Sequence, residues 1–270
     1  MLSSRIKSIL VFVPLIVAII AIGGVVYDLF FLVVILLGAR ELHRLFKTMG
    51  YYSSLPLLMA SMTLFVLQRM FLGTFFIEVV LLAVITANVI MALGRYEKGD
   101  SQAALSFAMQ LSGSLYLGWL GAYFISIRHL PNGGFWTLAI FVIIWLIDMC
   151  AYLIGVRWGK HKISPRLSPK KSWEGFAAGL AAGALTGILL SLILRRWLPE
   201  FYLYKGLILG LVIAVLTPIG DVFISMLKRI AGVKDSGMLI PGHGGILDRI
   251  DTWMWAAMLG YYLLMLLGTT

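Results

Sequence analysis

The side chains able to do chemistry crowd into one stretch near the C-terminus. Asp221, Ser225 and Lys228 recur at i, i+4 and i+7, one face of a helix, and Arg229 follows directly. Next come Lys234-Asp235-Ser236-Gly237 and Pro241-Gly242-His243-Gly244-Gly245, then Asp248-Arg249-Ile250-Asp251, whose two acids at i and i+3 share a face. Gly237, Gly242, Gly244 and Gly245 allow this link to fold back closely over a ligand. Acids from two helices are thereby brought together with several cations. Carboxylates without a Cys or His cluster suit Mg²⁺ rather than zinc. A Mg²⁺ ion bridging acids and a polyphosphate, with Lys and Arg over the remaining oxygens, supports in-line displacement at phosphorus. His243, a lone histidine in a glycine loop among charges, is open to two readings, a structural hydrogen-bonder or a base.

A second cationic stretch holds Arg157, Lys160, His161, Lys162, Arg166, Lys170 and Lys171. Contact with anionic lipid headgroups is the plain reading of such a cluster. The part Ser168-Pro169-Lys170-Lys171-Ser172-Trp173-Glu174-Gly175 differs, because adjacent lysines precede a helix start whose N–H groups suit phosphate. Substrate binding and lipid contact both stay open for Lys170 and Lys171. Asp148 and Asp221 fall within apolar runs, about eight and six residues from their ends, a depth of roughly 9–12 Å along a helix. An ionised carboxylate there costs about 2.5–3.5 kcal/mol on insertion scales, so each needs a task or a cationic partner that holds helices together. Asn88 and Gln110 fall at similar depth. Four polar side chains at one level suggest a cavity open to the cytosol.

The elements that must position these residues are membrane helices. Of the 270 residues 61% are hydrophobic and only 13% charged, which excludes a dispersed soluble protein. A bilayer core takes about 20 apolar residues per helix. Stretches of that kind run approximately over 8–26, 28–46, 54–70, 72–94, 103–127, 134–156, 174–194, 204–227 and 252–268. The fold expected is an all-α polytopic transmembrane bundle of about nine spans. Residues 1–130 supply five, and 131–270 form the catalytic region with loops 157–173 and 228–251. Arg5 and Lys7 before the first run resemble a secretory leader, but the run is too long and lacks a cleavage signal, so it reads as an uncleaved span. Tyr27 and Asp28 are expected to form a tight turn, Pro131 to Gly134 another, and the eighth run to break near Pro218 and Gly220. Gly175, Gly179, Gly183 and Gly187, every fourth residue, would admit a closely packed neighbouring helix. Lys plus Arg is 22 against 12 acids, a net +10. With the N-terminus in the cytosol, 17 of the 22 cations fall in cytosolic segments, which places the N-terminus and both long loops in the cytosol and the C-terminus outside. The single Cys150 allows no intrachain disulfide.

The run from Ser225 to Asp251 resembles the signature of the phosphatidate cytidylyltransferase (CDP-diacylglycerol synthase) family, S-x-x-K-R, then K-D, P-x-H-G-G and D-R-x-D. It is met by Ser225, Lys228, Arg229, Lys234, Asp235, Gly237, Pro241, His243, Gly244, Gly245, Asp248, Arg249 and Asp251. Asp148-x-x-Ala151-Tyr152-x-x-Gly155 and Ser168-Pro169-Lys170-Lys171 also resemble family features, with Ser172 standing where threonine is more frequent. The likeness covers the C-terminal half, whereas residues 1–130 match in topology. It implies condensation of CTP with phosphatidate to CDP-diacylglycerol and pyrophosphate by attack at the α-phosphorus. In that scheme Asp221 and Asp248 hold one or two Mg²⁺ ions, with Asp148 and Asp251 close by. Lys228, Arg229, Lys170 and Lys171 neutralise the phosphates, and Ser225, Lys234, His243 and Arg249 complete substrate binding. The cytidine and the diacyl lipid are implied by the resemblance alone. Partners implied are CTP, phosphatidate and membrane lipids, with no nucleic acid and a homodimer left open, in a multi-pass protein of the cytoplasmic membrane. A CDP-alcohol phosphotransferase would show D-G-x-x-A-R, which the chain lacks. A secondary transporter of an anionic substrate, the alternative outside enzymology, would place its polar set near the midplane.

Overall fold

Backbone groups in hydrocarbon must be satisfied within the chain, so apolar runs of this length fold as helices. The computed structural model describes residues 2–237 and 244–269, and of residues 2–11 the backbone only. Its helices are α1 (Leu2–Ile22), α2 (Gly24–Thr48), α3 (Leu55–Leu72), α4 (Ile77–Tyr96), α5 (Ala103–Gly113), α6 (Tyr123–Arg128), α7 (Gly133–Trp158), α8 (Trp173–Leu194), α9 (Leu203–Leu216), α10 (Pro218–Ile230) and α11 (Leu247–Leu266). A π-helical turn, Ser114–Trp119, lies between α5 and α6. Five segments are long and apolar enough to cross a bilayer: α3, α4, α7, α8, and α9 continuing into α10. The protein is thus a predominantly α-helical integral membrane protein. Pro131 and Asn132 form the expected turn, with Asn132 left-handed at φ 57.

The chain divides into two units, Met1–Ser126 with Leu227–Ile250, and Ile127–Met226 with Asp251–Thr270, so α10 and α11 each contribute to both. In the first unit, α2 packs on α3 and on the π turn. Tyr27, Phe31, Ile35, Leu42 and Phe46 form its buried face. The Tyr27 hydroxyl donates to the Phe124 carbonyl at 3.2 Å, and Phe31 stacks on Phe124. The turn expected at Tyr27 and Asp28 is therefore corrected: both residues are buried inside α2, and the chain breaks at Gly23, whose φ of 65 suits glycine. Asn88 and Gln110, two of the four polar residues expected to line a cytosolic cavity, are instead fully buried. Gln110 accepts from Ser53 and Ser54 and donates to the Ser54 carbonyl, which ties down the start of α3. Asn88 donates back to Val84 on its own helix.

In the second unit α8 lies between α7 and α9. The glycine stripe is the reason: a Cβ on Gly183 would meet the Gly210 carbonyl, and one on Gly187 would strike the Gly206 carbonyl. Helices that gain nothing by leaving lipid associate through such close backbone contact. The opposite face of α8 presents Leu185, Leu189 and Ile193, each more than half exposed and suited to hydrocarbon. The break near Pro218 occurs as expected, since proline has no N–H to continue α9. An antiparallel ribbon of β1 (Lys162–Ser164) and β2 (Ser168–Ser172) replaces the featureless loop expected there, and Ser172 then caps α8 by accepting from Gly175 N.

Candidate active site

In the second unit the site is built on Asp221, in the first turn of α10 just after the proline break. The positive end of the helix dipole favours an acid at that place. Lys171 Nζ stands 2.8 Å from Asp221 Oδ2 and approaches the Pro218 carbonyl at 3.5 Å. Ser225 Oγ, one turn along, donates to Asp221 Oδ1 at 3.2 Å. Gly220 makes this possible: a Cβ there would collide with the Asp251 carbonyl and the Trp255 ring, so only glycine lets α10 come so near α11. Asp251 is buried, and the charges of Asp221, Asp148 and Lys171 all act on it. Asp148 itself is exposed on α7. Successive residues of a strand face opposite ways. Lys171, half-buried, therefore turns to Asp221 while Lys170 is exposed.

In the first unit Asp248 opens α11 and is the hub. Its Oδ1 takes the Lys228 ammonium at 2.5 Å. Its Oδ2 accepts from Ser236 N at 2.9 Å, Ser236 Oγ at 3.0 Å and Gly245 N at 3.1 Å. Burial works against its ionisation, but the Lys228 ammonium and the Ser236 and Gly245 amides outweigh it and hold the carboxyl below the ordinary aspartate range. Arg229 donates to the Val233 carbonyl, and Arg229, Lys234 and Arg249 are all exposed. His243, with Pro241 and Gly242, lies outside the described residues.

Sequence reasoning missed Glu41 of α2, which is 1% exposed. Its carboxylate accepts from Ser236 Oγ, Ile246 N and Leu247 N at 2.8, 3.0 and 2.9 Å. A lone acid among Arg40, His43, Arg44 and Lys47 was the only signal, and it reads as an ordinary helix end.

Among the described residues no three acidic, His or Cys side chains converge tightly enough to cage a metal ion. Mg²⁺ needs no such cage, because it binds through one or two carboxylates and completes its shell with water and substrate phosphate. The carboxylate of Asp221, with Asp251 beside it, supplies oxygen donors of that kind, although Lys171 is paired with Asp221 Oδ2 and Ser225 donates to Oδ1. Asp248 has less to offer, since Oδ2 already accepts three bonds and Oδ1 is paired with Lys228.

Fold and site together define a predominantly α-helical integral membrane protein whose polar centres pair carboxylates with lysines. The chain belongs to the cytidylyltransferase family, whose model matches residues 3–267. It is 35% identical over 184 residues to a phosphatidate cytidylyltransferase of Synechocystis sp., covering 58% of this chain and 61% of that protein. It is 35% identical over 154 residues to the phosphatidate cytidylyltransferase of Bacillus subtilis, covering 57% and 56%. With that of Staphylococcus aureus the identity is 30% over 254 residues, 93% of each. The chain thus spans less than two thirds of the first two relatives and nearly all of the third.

Proposed function

We propose that this protein is a phosphatidate cytidylyltransferase. A phosphatidate phosphate oxygen bonds to the α-phosphorus of CTP, the bond from that phosphorus to the β-bridging oxygen breaks, and pyrophosphate leaves with the electron pair. CDP-diacylglycerol stays in the bilayer. The observation that carries this reading is the Lys171–Asp221–Ser225 cluster beside Asp251, an oxygen-and-ammonium site suited to phosphate, in a chain of the cytidylyltransferase family.

Each residue has a task within it. Lys171 and Lys228, already poised on carboxylates, neutralise substrate phosphates, with Lys170, Arg229, Lys234 and Arg249 as further, exposed cations. Phosphatidate is nucleophilic as its anion, so positioning and charge neutralisation outweigh proton removal. Asp221 and Asp248 are the proposed ligands of one or two Mg²⁺ ions, with Asp148 and Asp251 supporting. A Mg²⁺ ion so held would draw charge from the phosphate oxygens. We further place the protein in the cytoplasmic membrane with nine spans, α1 through α11 grouped as the nine apolar runs, an N-terminus in the cytosol, and loops 157–173 and 228–251 facing CTP. The basic residues of those loops support this orientation.

The test is direct. Purified protein given radiolabelled CTP, phosphatidate and Mg²⁺ should move the label into a chloroform-extractable lipid. No lipid-bound label with active controls would refute the assignment.

A further inference from the structure

We propose that Glu41 is the positioning residue of the Asp248 centre, a carboxylate supplied by α2 that ties Ser236 to the start of α11 so that Asp248 and Lys228 are held in register. The proposal rests on the reading of Asp248 as part of the phosphate site. Glu41 is the most buried acid of the first unit, at 1% exposure against 3% for Asp28. Burying a carboxylate is costly unless donors surround it. Three do so, and all belong to one short segment: Ser236 Oγ at one end, Ile246 N and Leu247 N at the other. Leu247 is the first residue of α11, where amides lack partners within the helix. Glu41 is thus a helix cap delivered from a distant part of the chain, and its charge complements that helix end.

Asp248 grips the same two ends, through Ser236 N and Oγ and through Gly245 N. Ser236 Oγ lies between the two carboxylates, 2.8 Å from Glu41 Oε2 and 3.0 Å from Asp248 Oδ2, its single proton shared between them. The segment is cut to fit: a Cβ on Gly237 or on Gly245 would run into the Glu41 carboxylate itself. Two glycines shaped around one acid, and three donors spent on it, are more than packing requires. With Glu41 in place, Ser236 and Gly245 fix Asp248 Oδ2, which leaves Oδ1 aimed at Lys228. Glu41 itself has no part in bond making. It acts through Asp248.

The perturbations are Glu41→Gln, Ser236→Ala and Gly245→Ala, with two readouts. Gln keeps one acceptor oxygen but turns an amide N–H₂ toward a backbone donor, so the clamp is lost with little change in volume. In hydrogen–deuterium exchange of the full-length protein in detergent, the Ile246 and Leu247 amides of Glu41→Gln should exchange faster by about tenfold or more, as expected for loss of a hydrogen bond to a charged acceptor. Helices α7 to α9 should be unchanged. In turnover, kcat should fall by about 10- to 100-fold, the usual loss when a supporting partner of a site residue is removed, while KM for CTP and phosphatidate moves far less. Gly245→Ala should give the same exchange signature, and joining it to Glu41→Gln should add less than the sum, since both break one contact. Unchanged exchange at Ile246 and Leu247, or faster exchange with kcat intact, would overturn the proposal. If Glu41→Gln does not fold, Ser236→Ala decides by the same two readouts. A wild type that makes no CDP-diacylglycerol sinks the functional reading instead, and the exchange comparison still judges the clamp.

Discussion

Replacing Lys171 by Gln, against Lys170→Gln, Lys160→Gln and Lys162→Gln, separates substrate binding from lipid contact. Lys171 alone of the four reaches an acid of the site, Asp221 at 2.8 Å, whereas Lys170, Lys160 and Lys162 are exposed. Exposed ion pairs are worth about 0.2–1 kcal/mol, and breaking a fully buried one costs about 3–5 kcal/mol. With side chains 25% and 36% exposed, the Lys171–Asp221 pair falls between, on the order of 1–2 kcal/mol of stability. That corresponds to a few degrees in Tm for a chain of this size. The rate should fall much further, about 10²-fold, the loss typical of a preorganised charge that meets charge developing on the substrate. The three exposed lysines should each give up only about 1 kcal/mol of attraction to anionic lipid, which the membrane helices make irrelevant to retention in the bilayer. The assay is CTP turnover in detergent with phosphatidate as the only anionic lipid, beside a thermal-unfolding scan. Lys171→Arg should recover part of the rate, since charge survives while geometry shifts. Equal, small rate effects at all four lysines, or a Lys171→Gln loss explained wholly by unfolding, would refute the reasoning.

Asp221→Asn and Asp248→Asn should each abolish turnover while both remain extractable as folded protein, Asp221→Asn losing only the few degrees of Tm set by its Lys171 pair; substantial residual activity in either removes that residue from the site. Asp248→Asn should also lower Tm, because its partner Lys228, only 11% exposed, loses its counter-charge. Lys234→Cys in a Cys150→Ser background should react with a membrane-impermeant maleimide from the cytosolic side only, and labelling from outside on intact cells would overturn the orientation; Lys234 is exposed, unlike Ser236 beside it. Gly187→Ala should lower Tm by the equivalent of about 1–3 kcal/mol of overpacking, because a Cβ there strikes the Gly206 backbone; an unchanged Tm would mean α8 and α9 do not pack through that contact.

The helices were legible because their apolar runs are long, and the proline break before Asp221 because Pro218 leaves no alternative. Asp28 misled because a charge inside an apolar run reads as a boundary, whereas the true break needed the backbone freedom of Gly23. The ribbon of β1 and β2 escaped notice because it is three and five residues long and rich in lysine and serine, without the apolar alternation that marks a strand. It is also what separates Lys171 from Lys170, two residues that spacing alone treats as equals. The pairing of Asp221 with Ser225 could be anticipated from helical periodicity, whereas the approach of Asp251 from another helix could not. Glu41 could not, because its donors lie some two hundred positions away and no local pattern announces them.

That separation has a consequence for the order in which the chain is made. Glu41 emerges 195 residues ahead of Ser236. At about 5–20 residues per second of synthesis, its donors follow roughly 10–40 s later. For that interval α2 carries an acid with none of its eventual amides, and a dry interior is closed to it at any reasonable cost. The headgroup zone, where water can solvate the carboxylate, is the place for it to wait. The first unit is therefore sealed late, by residues made some two hundred positions after α2, and a nascent chain cut short before Ser236 would leave that end of α2 permanently wet.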